Sequence, residues 1–185
     1  QAWLDASDLS KDESNTIPNN GDAVLVWRDK SGNGHDAETY DTSPTFNSTG
    51  FNGKPTVAFT NDTMLLKGSE TSFADWSNFT VAVVWKYPGS NVFTNVFGRS
   101  SQVFSNELAS WEFVARRGDL SPPRYTLRIN GNSSYIIPEV IDVGIKSHNV
   151  LVLQYDGSAS KAKAWLNGNL KFTKDFMDEI RSTNF

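Results

Sequence analysis

Apolar residues recur along this chain at every second position or in short solid runs, and Gly, Asn, Asp, Ser and Pro interrupt them at close intervals. That is the rhythm of a pleated strand, whose side chains alternate between two faces, and it predicts an all-β protein. The runs place strands at Val24 to Arg28, Thr56 to Phe59, Phe79 to Tyr87, Asn95 to Gly98, Trp111 to Ala115, Tyr125 to Ile129, Asn149 to Tyr155, Lys161 to Leu166 and Asn169 to Phe172. Asn167-Gly168 lies between the last two runs and predicts a tight hairpin, because a type I′ turn needs positive φ at both central residues. Asn130-Gly131 offers a second hairpin, between Tyr125 to Ile129 and the short, proline-ended run Tyr135 to Pro138. Helical periodicity is confined to Ala2 to Leu9 and Lys174 to Arg181, each about two turns long. Lys11 to Asp22 reads as a surface loop. No linker, repeat or low-complexity segment divides the chain, which reads as a single domain over residues 1–185.

Composition narrows the function. A length of 185 residues suffices for one substantial core, and an aromatic content of 12% argues against disorder. Lys and Arg total 17 against 21 Asp and Glu, so no basic field exists to hold a phosphate backbone, and nucleic acid is not an expected partner. The longest apolar runs fall far short of the ~20 residues that span a bilayer as a helix, so membrane insertion is not expected either. With no cysteine, a disulfide scaffold, a thiolate metal site and a cysteine nucleophile are all excluded.

The most chemically suggestive stretch is Asp29-Lys30-Ser31-Gly32-Asn33-Gly34-His35-Asp36. Oxygen-bearing side chains at alternate positions, followed by Gly, resemble the start of a calcium loop, since a hard cation needs several oxygens converging through a sharp turn. Asp29, Ser31, Asn33 and Asp36 are the available ligands. Position twelve is Tyr40 where an EF-hand carries a bidentate Glu, so this is not an ordinary EF-hand. The competing reading is an Asx-type turn, in which the same side chains bond the local backbone.

The opening AWLDASDL, then VLVWRDKSGNGHDA, FNGKPTVAFTNDTMLL, NFTVAVVWKY and NVLVLQYDGSASKAKAWLNGNLKF, in that order, resemble the landmarks of a laminin-G-like, concanavalin A-type lectin/glucanase domain of bacterial and phage surface proteins. The resemblance covers most of the chain and implies a two-sheet antiparallel jelly-roll sandwich. It also implies a further strand or two beyond KFTKDFMDEI, where this chain stops at Phe185. A sheet lacking its last strand invites a second polypeptide to complete it. In some relatives the segment matching Asn61-Asp62-Thr63 brings a ligand to calcium, which adds Asp62 to the candidate metal set, with a plain loop as the competing reading.

Glucanases of this fold cut glycosidic bonds with carboxylates spaced Glu-x-Asp-x-x-Glu on one strand. No such triplet exists here: Glu139 with Asp142, and Asp175 with Asp178 and Glu179, have other spacings. The chain also lacks a Gly-x-Ser-x-Gly elbow and a phosphate-cradling glycine loop, and two histidines, His35 and His148, cannot make a three-histidine zinc site. The Arg-Gly-Asp at residues 117–119 and the Asn-x-Ser/Thr patterns at Asn47, Asn61, Asn78 and Asn132 are short enough to recur by chance.

A sugar presents C–H faces to aromatic rings and hydroxyls to polar groups. Loop or strand-end candidates for such contacts are Tyr40, Trp76, Tyr87, Trp111 and Tyr135, with Arg99, Arg116, Arg117 and Asn106 as polar companions. Trp27, Trp85 and Trp165 alternate with other apolar residues and read as core, and Trp3 as packing on a sheet edge. The expected function is a non-catalytic recognition module, secreted or displayed on a cell or virion surface, binding a glycan or cell-surface ligand with calcium as a candidate aid. The alternatives are an assembly module of a larger particle and, third, a polysaccharide-degrading enzyme.

Overall fold

A computed structural model describes residues 1–12, 14–60, 62–67, 78–86, 94–99, 111–116, 124–129 and 148–175. Among the described residues every regular element is a strand, there is no helix, and every strand pair is antiparallel. The chain divides into two compact units, Gln1–Phe73 and Ala74–Phe185.

In the first unit, β1 (Leu4–Ser10), β2 (Val26–Asp29), β3 (Ala37–Thr39) and β6 (Met64–Leu66) form one sheet in the order β1-β2-β3-β6. β4 (Thr45–Phe51) and β5 (Lys54–Ala58) form a separate hairpin. β1 corrects the expected helix at Ala2 to Leu9. Two isolated helical turns are marginal in water, whereas pairing with β2 satisfies the backbone in one step. The register breaks between Leu4 and Leu9, and the adjacent Leu9 and Ser10, paired with Trp27 and Val26, are both buried, so strict alternation is lost in the sequence. The turn Asn52-Gly53, with φ of 48° and 71°, joins Phe51 to its partner Lys54. At Gly50 an added Cβ would lie 1.9 Å from Thr56 Oγ1 and 2.9 Å from Thr56 Cβ, so only glycine lets β4 approach β5 so closely.

In the second unit, β7 (Asn78–Lys86), β11 (His148–Asp156), β12 (Lys161–Leu166) and β13 (Asn169–Asp175) form a sheet in the order β13-β12-β11-β7. β8 (Thr94–Arg99), β9 (Trp111–Arg116) and β10 (Arg124–Ile129) form a second, in the order β10-β9-β8. The expected hairpin at Asn167-Gly168 is present, with φ of 51° and 80° and Leu166 opposite Asn169. Asn167 also ties the turn to β11: its N–H donates to Val150 O (2.8 Å), its Oδ1 accepts from Val150 N (2.9 Å), and its Nδ2 donates to the buried Asn149 Oδ1 (3.1 Å). Lys174 and Asp175, expected to open a helix, instead end β13; Phe176 to Arg181 lie outside the described residues, as do the Asn130-Gly131 turn and Tyr135 to Pro138.

The register of the four-stranded sheet sorts its side chains. Phe79, Val81, Val83 and Trp85 share one face with Asn149, Leu151, Leu153 and Tyr155, with Ala162, Ala164 and Leu166, and with Phe172. Phe79 and the residues of β11, β12 and β13 on this face are buried, Val81, Val83 and Trp85 are half-buried, and Phe79 stacks on its cross-strand partner Tyr155 with centroids 5.6 Å apart. The opposite face carries Thr80, Ala82, Val84 and Lys86; Val150, Val152 and Gln154; Lys161, Lys163 and Trp165; and Leu170, Lys171 and Thr173. One shift of register would exchange these sets, so the burial pattern fixes the pairing.

Candidate functional site

The turn at residues 29–36 is organised around the Asp29 carboxylate. Its Oδ1 accepts hydrogen bonds from Trp3 N (2.8 Å) and Ser31 N (2.8 Å), and its Oδ2 from Ser31 Oγ (2.7 Å) and His35 N (3.1 Å). The Ser31 N–H bond makes an Asx turn, so the local-backbone reading describes the geometry found. The neighbouring oxygens point the same way. Asp36 Oδ1 accepts from Asp29 N (2.8 Å), while Ser31 Oγ (2.9 Å) and Asn33 Nδ2 (2.8 Å) both donate to Gln1 O. These bonds staple the turn to residues 1–3. Asp62 serves a different loop, where its Oδ2 accepts from Thr60 N (2.7 Å). Among the described residues no three acidic or histidine side chains converge. With N–H and O–H donors already on both oxygens of Asp29, the set does not fit a hard cation, which would need those lone pairs itself.

Desolvation alone would push the Asp29 carboxyl up, but the Ser31 hydroxyl and the N–H groups of Trp3, Ser31 and His35 outweigh it and hold the pKa well below the usual carboxylate range. A depressed folded-state pKa stabilises the fold above the unfolded value of ~3.9, and that contribution is lost as pH falls through the folded value. Asp29→Asn turns an amide NH2 toward groups that themselves donate. It is expected to cost about 2 kcal/mol at neutral pH, in urea denaturation, with the difference from wild type shrinking below about pH 4. An equal difference at pH 7 and pH 3 would contradict this role.

Of the candidate ligand-binding residues, Tyr40, Arg99, Trp111 and Arg116 are among the described residues. Tyr40 is exposed just after β3, in the first unit, its N–H donating to Thr63 O (3.0 Å). Arg99 and Trp111 are cross-strand partners at one end of β8 and β9, whereas Arg116 pairs with Arg124 at the other end of β9, about 17 Å away at ~3.4 Å per residue. Trp76, Tyr87, Asn106, Arg117 and Tyr135 lie outside the described residues. Trp3 is more than half exposed, and the Lys30 ammonium sits 5.9 Å from the centre of its ring.

The arrangement best suited to a ligand is one the sequence reading assigned to the core. Trp165 lies on the face of the four-stranded sheet opposite Leu151, Leu153 and Ala164, and it is half-buried. Val152 sits between Ala82 and Trp165, and Trp165 is opposite Leu170, so an apolar row crosses all four strands. Val84 (57%), Val150 (43%) and Leu170 (55%) of the same face are exposed to solvent. The next row is polar: Thr80, Gln154, Lys163 and Thr173. The signal for Trp165 was its parity, because Lys161 and Lys163 share its face while Ala162, Ala164 and Leu166 take the other.

No protein-family model, curated protein or solved structure matches this chain.

Proposed function

We propose that this chain is a non-catalytic recognition module of a secreted or surface-displayed protein, and that it takes a glycan on the open face of the β7-β11-β12-β13 sheet. The observation that carries this reading is the exposed row at Trp165: an indole half-open to solvent, with apolar neighbours for a sugar's C–H face and Gln154, Lys163 and Thr173 close by for its hydroxyls. Contiguous exposed apolar surface on a folded domain marks an interaction site more often than chance decoration. The wider fold that goes with this reading is a two-sheet jelly-roll sandwich of the laminin-G and concanavalin A type. Wholly antiparallel pairing and one-sided burial of the four-stranded sheet support it. The absence of a Glu-x-Asp-x-x-Glu triplet from the sequence supports the non-catalytic part.

Because the Asp29 oxygens are engaged by the turn itself, binding proceeds without calcium at that site. Glycan-array binding is the test, run with and without EDTA. The expected result is retention of at least one glycan class, unchanged by the chelator. Binding abolished by EDTA would overturn the calcium-independent mode, and no binding to any glycan would overturn the reading.

A further inference from the structure

The charges around the Trp165 row identify the class of sugar. Lys163 is two residues before Trp165 on the same face of β12, about 7 Å along the strand. The shift of register between Ala164 and Trp165 sets both Leu170 and Lys171 of β13 beside that position, and Lys171 is exposed. Lys86, exposed at the end of β7, lies beyond Val84 on the other side of the row. The carboxylates of this face are occupied at its far end: Asp175 pairs with Lys161 (3.2 Å), and Asp156 accepts from Ser158 Oγ (2.6 Å) and Ala159 N (3.1 Å). Among the described residues no ion pair within 4.0 Å forms at Lys86, Lys163 or Lys171, although Lys163 lies near enough to Asp156 for their charges to interact. A chain with a net charge of -4 thus presents ammonium groups around the Trp165 row.

We infer that the sheet face takes a carboxylate-bearing saccharide, the ring lying on Trp165 and the acid groups meeting Lys163 and Lys171. The inference rests on the glycan reading and adds the sugar's charge to it. A neutral sugar would leave the lysines with nothing to recognise, whereas an acidic one gains complementary potential from them. A second copy of this chain fits less well. A copy would bring its own lysines to the same face, and like charges at an interface disfavour association.

The test uses a panel of polyuronates and sialylated glycans, each beside its own methyl ester, with polyglutamate as a polyanion that has no sugar ring. Wild type is expected to bind at least one acidic member ten-fold or more tightly than its ester, with the advantage falling as salt rises. The Lys163→Gln/Lys171→Gln variant, with its melting temperature checked against wild type, is expected to lose that advantage, binding the acidic member no more tightly than its ester. Equal or tighter binding of the esters would overturn the acidic class and leave the glycan reading standing. Binding of polyglutamate as strong as that of any sugar would overturn the glycan reading itself, and so would no binding to either sugar set.

Discussion

Leu153→Ala is expected to destabilise the second unit by about 3 kcal/mol. Leu153 is 1% exposed in the centre of β11, between Val81 on β7 and Ala164 on β12, so both flanking strands lose contacts when its side chain is cut back. Ala164 is too small to fill the space, and the cavity adds to the lost transfer energy. Val150→Ala, on the opposite face of the same strand at 43% exposed, is expected to cost about 0.5 kcal/mol or less. Urea denaturation followed by fluorescence separates the two. Equal losses would mean that the sheet has no buried and open side, which would remove the physical basis for placing a ligand on it.

Those two substitutions probe a distinction that the sequence carried only in part. Strands marked by alternation or by a solid apolar run were legible: Lys161 to Leu166 has the predicted bounds, and Phe79 to Tyr87 and Asn149 to Tyr155 agree with the strands found to within one residue at each end. The Asn167-Gly168 turn was legible because its dihedral requirement leaves few other residues. Asn52-Gly53 carried the same signal, but β4 is rich in Asn, Ser, Thr and Gly and offers only Phe46 and Phe51 as apolar markers. β3 and β6 are three residues each, too short to show a period. β1 was misread because its irregular register breaks alternation, and a strand supported by its neighbour need not advertise itself locally.

The candidate site was less legible than the fold, for a physical reason. Hydrophobicity identifies a residue that prefers burial, whereas the face it occupies depends on parity and on which face the rest of the sheet covers. In β11 both parities are apolar near the middle, with Leu151 and Leu153 on one side and Val150 and Val152 on the other. Only the lysines of β12 break the tie for Trp165. The Asp29 turn shows the opposite case. Its alternating oxygens resemble a cation loop until the partners are known, and those partners include Gln1 and Trp3, distant in sequence and invisible to any local motif.

The second large effect is expected at Trp165. Replacing this indole by alanine removes the one broad aromatic surface of the open face while leaving Leu151, Leu153 and Leu166 packed on the other. Stacking energy is lost without a buried cavity of core size, so affinity falls far more than stability. The most direct test is the binding isotherm of Trp165→Ala beside wild type on the best-retained glycan, with the melting temperature of each protein recorded. The result expected is a loss of ten-fold or more in affinity, about 1.4 kcal/mol, with the melting temperature within a few degrees of wild type. Wild-type affinity in a folded Trp165→Ala protein would contradict the assignment of this face as the recognition surface.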